Sequence, residues 1–365
     1  MESKVTMNAF KFITLTCCAL TLVACSQAPS KKPLSNPSQS APAVKLSDEA
    51  RQFFHAIKTG DTQTALNYIQ KGEALNVQDT FGHTGILLAV DYQNPEVLKA
   101  LIEKGASVDT ANKQGWTPLM KAVDIHQTDM VKQLLAADAN PNTPTPQGWT
   151  ALHLTSKPLR NQQKRYVEIA QLLIDHGAFV NQTRQDGVTP LYLTVVNNRI
   201  DVFNTLLAAK ANPNIGRADG RTPLMQATYD YRIDMVKALL KAGANPNETD
   251  RKGLSALHYT VHDPKNPQQD YADIAQILID HGADVNLRTA KGDSPLLMSV
   301  KNNRPDVFVA RLNAKADAGL GTFNHWTPLM QAIQDQNTPM INALVKVQER
   351  QQKNADNALL QKINP

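Results

Sequence analysis

One triplet of the Thr-Pro-Leu type recurs along this chain, and its spacing constrains the fold more than any other feature of the sequence. Consecutive triplets begin 33, 33, 39, 33, 33, 39 and 33 residues apart. A fixed period of this length is typical of stacked supersecondary units, none of which can bury its apolar face alone. We therefore predict one elongated array instead of the two globular domains that 365 residues could form. The triplets begin at Thr84, Thr117, Thr150, Thr189, Thr222, Ser255, Ser294 and Thr327.

Every third unit is six residues longer than its neighbours, so the complete pattern repeats after 105 residues. Residues 150–188 share 19 of 39 identities with residues 255–293. Residues 117–149 share 17 of 33 identities with the unit that begins 105 residues later, but only 11 of 33 with the adjacent residues 84–116. This pattern indicates a block of three units that was copied in tandem.

The six extra residues fall between the two helices expected in each long unit, within residues 156–165 and 261–270. Two interpretations of these insertions are open. They are either loops that were copied along with their block, or a second contact surface for a partner.

Each unit predicts two short antiparallel helices. In the unit at Gly115, Thr117 can cap a helix through its hydroxyl, and Pro118 suits the first helical position because its missing N–H has no intrahelical partner there. Each helix buries one face and needs a neighbouring unit to cover the rest. Apolar residues at helical spacing form the two faces, namely Leu119, Ala122 and Val123 in the first helix and Met130, Val131, Leu134 and Leu135 in the second.

The second helix of several units ends in a glycine, which can adopt the left-handed backbone of a helix C-terminus at no steric cost. Asp138, Lys210 and Lys315 replace that glycine in three units, and we predict less stable helix ends there. The glycines are Gly105, Gly177, Gly243 and Gly282.

The unit resembles the ankyrin repeat, which starts its first helix with T-P-L-H-x-A and ends with G-A-D-V-N. The closest matches are Thr150-Ala-Leu-His153, Ser255-Ala-Leu-His258 and Gly282-Ala-Asp-Val-Asn286. The resemblance covers residues 48–345 and implies an all-α solenoid of about nine helix–turn–helix repeats joined by hairpin turns. Residues 346–365 are rich in Gln and Lys, and we expect them to form a polar helical cap that closes the stack.

Residues 1–24 resemble the signal peptide of a bacterial lipoprotein. Lys4 and Lys11 precede a short apolar run that is too short to span a membrane comfortably. The run ends in Leu22-Val23-Ala24-Cys25, which resembles a lipobox and implies cleavage before a lipidated Cys25. A plain signal peptide cut at another small residue is the alternative, and Met7 is a second possible start.

Residues 25–47 are rich in Ser, Pro and Gln, so we expect a flexible, lipid-anchored tether. The residue after the cysteine is Ser26, where an Asp usually retains lipoproteins in the inner membrane. By resemblance, the protein is therefore expected in the cell envelope, anchored to the outer membrane and facing the periplasm.

The sequence shows no pattern that indicates catalysis, a metal site or a cofactor. Repeat position explains His153 and His258 as structural residues, and His176 and His281 as residues at helix ends. Cys25 is the only cysteine left after cleavage, which excludes an internal disulfide. The net charge of +5 is spread along the chain without a basic stripe, so we do not expect a nucleic-acid partner. Because catalytic motifs are absent from the sequence, we do not expect an enzyme either.

The resemblance implies a concave surface, formed by the hairpin turns and the exposed side of the first helices, that contacts a partner protein. Aromatic residues and arginine most often anchor such interfaces. A packing role against the neighbouring hairpin is the alternative for the tryptophans. Before the helix the contact residues are Trp116, Trp149, Arg221 and Trp326, and at its end they are Asp91, Tyr92, Asp124, Ile125, Tyr229 and Asp230.

Together these features predict a monomeric outer-membrane lipoprotein that binds another protein through the concave surface of its array. Two alternatives remain open. One is an immunity protein that neutralises a periplasmic-acting secreted toxin, such as a phospholipase effector. The other is a structural tether within the cell envelope.

Overall fold

The computed structural model describes residues 46–72, 74–158, 163–261 and 271–363, and within them the chain forms eighteen helices and no strand. The helices form nine antiparallel pairs, one for each expected repeat. We call the first helix of a pair the inner helix and the second the outer helix. The pairs are α1 (Asp48–Thr59) and α2 (Thr62–Lys71), α3 (Gly85–Asp91) and α4 (Pro95–Glu103), α5 (Pro118–Asp124) and α6 (Thr128–Ala136), α7 (Ala151–Leu154) and α8 (Gln163–Asp175), α9 (Pro190–Val196) and α10 (Ile200–Ala208), α11 (Pro223–Tyr229) and α12 (Ile233–Lys241), α13 (Ala256–Tyr259) and α14 (Ala272–Asp280), α15 (Pro295–Lys301) and α16 (Pro305–Asn313), and α17 (Pro328–Gln334) and α18 (Thr338–Ile363).

Consecutive inner helices pack against one another along the whole array, as the periodic sequence predicted. The predicted caps are also present. At six inner helices the Thr or Ser hydroxyl accepts a hydrogen bond of 3.1–3.3 Å from the backbone N–H three residues later. Each such bond satisfies one of the N–H groups that a helix start leaves without an intrahelical partner.

The ends of the outer helices adopt the predicted left-handed backbone. Gly105 and Gly243 have φ angles of +79° and +88°. Asp138, Lys210 and Lys315 hold the same conformation without the freedom of glycine, at φ +60°, +63° and +61°. Repeat position therefore dictates the backbone here whichever residue occupies it.

Of the ranges predicted to contain the insertions, residues 159–162 of the first and residues 262–270 of the second lie outside the described residues. The inner helices before them, α7 and α13, are only four residues long, whereas the inner helices from α3 onward in the other repeats have seven. After the insertions the chain re-enters the core at Tyr166 and Tyr271, which are fully buried.

Helix α18 continues without a break from the last repeat into the segment expected as a cap. The Gln348 and Gln351 amides donate to the carbonyl oxygens of Ala318 and Ala316, so this helix lies beside the preceding hairpin. It is much longer than α17, and its role as a polar cap of the stack stays a prediction.

The last inner helix, α17, has exposed apolar side chains. Met330 and Ile333 of α17 are 47% and 56% exposed, although their counterparts Met120 and Val123 in the third repeat are buried. None of the helices in the described residues is long and apolar enough to cross a membrane.

Candidate functional site

On the predicted concave surface, ion pairs link the last residue of an inner helix to a lysine of the next repeat. Lys121 Nζ lies 2.9 Å from Asp91 Oδ1, and Lys157 Nζ lies 2.5 Å from Asp124 Oδ1. Each pair joins one repeat to the next, and each contributes less than about 1 kcal/mol at such an accessible site. Two predicted contact residues, Asp91 and Asp124, are therefore already engaged within the chain.

Two of the three predicted tryptophans pack against the core and carry a cation on the ring. Trp116 and Trp149 are half-buried against the apolar core. Lys157 Nζ lies 5.3 Å from the ring centroid of Trp116, and the Arg184 guanidinium lies 4.2 Å from that of Trp149. A contact of this kind contributes about 0.5–1 kcal/mol at an accessible site. The packing role is present for both residues, and the partner role stays a prediction.

The third tryptophan, Trp326, is in a different environment. It is 38% exposed, and its Nε1 donates to Gln331 Oε1 over 2.9 Å. Trp326 precedes the extended N-cap Thr327 and therefore lies outside α17, whose exposed apolar side chains are Met330 and Ile333.

A polar network surrounds Arg221, the predicted contact residue at the start of the sixth repeat. Arg221 Nε donates to Tyr259 Oη over 3.1 Å, and its Nη1 donates to Gln226 Oε1 over 3.2 Å. The guanidinium also lies over two rings, 5.3 Å from the centroid of Tyr229 and 4.6 Å from that of Tyr259. Gln226 in turn donates to Asp230 Oδ2 over 2.7 Å. The network thus connects three of the predicted contact residues.

Two tyrosines complete this network. Tyr192 Oη donates to Gln226 Oε1 over 3.0 Å, and Tyr259 Oη donates to Asp250 Oδ2 over 2.8 Å. Burial raises the pKa of Tyr192 to about 12 and raises the pKa of Tyr259 further. Both phenols therefore keep their protons at neutral pH and act as hydrogen-bond donors.

The two remaining predicted residues differ in accessibility. Tyr92, directly after α3, is 49% exposed, whereas Ile125, at the same position after α5, is half-buried against the core. Among the ten predicted contact residues, Tyr92 and Trp326 are the two classed as exposed. They are thus the most accessible to a partner.

Four residues that the sequence pattern did not predict hold the predicted contact residues in place. Lys157, Arg184, Gln226 and Tyr259 each contact a predicted contact residue. A signal was available for some of them, because Lys157 follows Asp124 by 33 residues, which is one repeat. Opposite charges one period apart indicate a contact between neighbouring repeats.

The histidines at the triplets have the structural role that repeat position predicted. His153 Nδ1 lies 2.8 Å from Thr150 Oγ1 and its Nε2 lies 3.2 Å from the Val188 carbonyl oxygen. His258 repeats the first contact with Ser255 at 2.8 Å. Burial lowers the pKa of both imidazoles to about 4, so both are neutral at pH 7. The described ranges contain no group of three or more His, Cys, Asp or Glu residues that could hold a metal ion.

Comparisons with known proteins agree with the observed architecture. A family model for ankyrin repeats, three copies long, matches residues 53–145, 122–217, 198–289 and 266–358. Among solved structures, the chain is similar to the ankyrin repeat domain of Bcl-3, described as a unique member of the IkappaB protein family. The two share 26% sequence identity with a TM-score of 0.54, over 63% of this chain and 98% of that one. No curated protein matches the chain.

Proposed function

Because the chain belongs to the ankyrin-repeat family, we propose that it binds another protein through its concave surface, without an enzymatic step. One observation carries this proposal. Side chains at the predicted contact positions are held by the following repeat, as Arg184 holds Trp149 and Tyr259 holds Arg221. Such a surface exists before the partner arrives, so little conformational entropy is lost on binding.

The accessible aromatic residues supply the anchors for this interaction. Tyr92 and Trp326 are 49% and 38% exposed and lie seven repeats apart in the array. Tyrosine and tryptophan bury a large area with few rotatable bonds, which is why they are enriched at interfaces. Charged residues described on this surface, such as Asp91 and Asp124, are paired with lysines of the chain. They therefore contribute more to the orientation of the partner than to its affinity.

The proposal includes a cellular location. The lipobox-like segment at Cys25 supports anchoring in the outer membrane, with the array facing the periplasm; this segment precedes the described residues. An immunity role against a secreted toxin is a narrower form of the same function. A structural tether to the cell wall is a competing form, and co-sedimentation with purified peptidoglycan would favour it.

The experiment is in-cell cross-linking of the full-length chain, followed by purification and identification of the cross-linked protein. Tyr92→Ala and Trp326→Ala are expected to reduce cross-linking to that protein by at least tenfold when combined, since each removes an interface anchor of about 1–2 kcal/mol. Both residues are exposed, so the fold should be nearly unaffected.

Phe179→Ala is the matched control, because Phe179 is 62% exposed and follows an outer helix, away from the predicted contact positions. It should leave cross-linking unchanged. If the double variant binds as the unmodified chain does, the concave surface is not the binding surface. If that protein is a secreted toxin, loss of protection in competition with sibling cells would establish the immunity role.

A further inference from the structure

Arg311 is the largest fully buried side chain among the described residues, and it breaks the repeat pattern of the core. It lies in the outer helix α16 and is 0% exposed. Seven other outer helices carry a buried leucine at the equivalent position. These leucines are Leu101, Leu134, Leu173, Leu206, Leu239, Leu278 and Leu344.

The guanidinium of Arg311 lies at the junction between the seventh and eighth repeats. Its Nη2 donates to the Leu257 carbonyl oxygen over 2.9 Å and to Thr260 Oγ1 over 2.6 Å, both at the end of α13. Nε and Nη1 have no hydrogen-bond partner among the described residues. The nearby Asp306 pairs with Arg304, at 2.7 Å. Arg311 therefore brings a positive charge into the junction without a carboxylate partner of its own among the described residues.

Burial of this charge is costly. It lowers the pKa of Arg311 to about 9, which still leaves the side chain protonated at neutral pH. A buried charge that is only partly hydrogen-bonded commonly makes a site less stable than an apolar side chain of similar volume would.

The apolar core divides in the same region. One cluster of buried residues extends from Phe53 to Ala283 and includes Val307, a second cluster begins at Leu296, and the partly buried Val285 packs against both. The tandem copy provides an internal comparison, because Leu191, Val195 and Phe203 belong to the first cluster. Their counterparts 105 residues later, Leu296, Val300 and Phe308, belong to the second one. The first copy carries Leu206 where the second carries Arg311.

We propose that Arg311 makes this junction a built-in opening point, at which α15–α18 unfold as one unit while the preceding repeats stay folded. The stability of a repeat array is approximately a sum of intrinsic terms and nearest-neighbour interface terms, so one weak interface divides it into two cooperative units. The terminal unit is also uncovered on its other side, where Met330 and Ile333 are exposed. Trp326 lies in this unit. Under the proposed function, a partner that binds Trp326 therefore stabilises the folded form of α15–α18 and makes its unfolding rarer.

Hydrogen–deuterium exchange of the full chain, measured by mass spectrometry, tests the proposal. Peptides from α15–α17 should exchange at a common rate at least tenfold faster than peptides from α9–α12, with a sharp step between α14 and α15. A gradual increase from repeat to repeat toward the C-terminus is ordinary fraying and would overturn the proposal, as would uniform exchange.

Two substitutions test whether Arg311 causes the step in exchange rate between α14 and α15. Arg311→Leu restores the residue found in seven other repeats and should slow exchange in α15–α17 by at least tenfold, while α3–α5 remain unchanged. Arg311→Lys keeps a buried cation and should not slow exchange in α15–α17. A step that persists unchanged in Arg311→Leu shows that the charge is not its cause. If Arg311→Leu does not fold, the position of the step in the unmodified chain remains the test.

Discussion

The guanidinium of Arg199 lies over the buried ring of Tyr166, 5.0 Å from its centroid. Arg199 also donates from Nη1 to the Lys157 carbonyl oxygen over 2.8 Å and pairs with Asp201 at 3.0 Å. Lys157 lies near the start of residues 156–165, the range that contains the first insertion, and Tyr166 directly follows that range, so one side chain of the fifth repeat contacts both ends of it. Arg304 lies in the same way over Tyr271 in the second copy, at 5.3 Å.

Arg199→Ala should lower the free energy of unfolding by about 2–3 kcal/mol, because it removes a buried ion pair together with a cation–π contact. The side chain of Arg199 is 2% exposed, which leaves solvent little access to replace these contacts. Chemical denaturation with urea, followed by circular dichroism, measures the effect.

The control for Arg199 is Arg217→Ala. Arg217 pairs with Asp219 at the same sequence separation, but the two side chains are 45% and 43% exposed. The expected loss is below about 1 kcal/mol, the usual value for an accessible pair. Equal losses for the two variants would show that Arg199 does not hold the insertion ends.

The two buried histidines make stability depend on pH. Their native pKa is about 4, whereas an unfolded histidine has a pKa near 6.5. The unfolded chain therefore binds more protons between these values, and the stability present above pH 6.5 is lost as the pH falls toward 4. Each histidine contributes on the order of 2–3 kcal/mol to this loss.

Replacement of both residues, His153→Gln with His258→Gln, should flatten the slope of unfolding free energy between pH 6.5 and pH 5, a range above the titration of most carboxylates. His176→Gln with His281→Gln is the control, because these imidazoles are exposed and lie 2.8 Å from the carbonyl oxygens at their helix ends. An unchanged slope in the first double variant would contradict the buried, neutral state.

Local spacing was sufficient to predict the helix pairs, their caps and the role of His153, because each depends on residues within one repeat. Contacts that cross repeats were less predictable. Arg311 is visible in the sequence as an exception to a leucine column, but its hydrogen bonds reach Leu257, 54 residues away. The exposure of Ile333 in the last inner helix was not predictable from composition, because composition does not show which apolar side chains a neighbouring element covers.

Cys25→Ala should release the protein from the membrane. Each acyl methylene contributes about 0.8 kcal/mol of membrane affinity, so loss of every chain at once removes stable anchoring. The measurement is the distribution of the protein between membrane and soluble envelope fractions, together with incorporation of a labelled fatty acid. Cys18→Ala, within the predicted signal peptide, should behave like the unmodified chain. Membrane retention of an unlabelled Cys25→Ala chain would contradict the lipobox.

Asp138→Gly should raise the free energy of unfolding by roughly 0.5–1 kcal/mol, because glycine adopts a left-handed backbone without steric cost. Asp138 ends its outer helix at φ +60°, where Gly243 holds the same position at φ +88° in the second copy. The reverse change, Gly243→Asp, should lower stability by a similar amount, since a Cβ at Gly243 meets no atom within 4 Å and only backbone strain contributes. Thermal unfolding of the two variants, measured side by side, should give opposite shifts. Shifts of the same sign would mean that contacts of the aspartate, not backbone conformation, determine the stability of these helix ends.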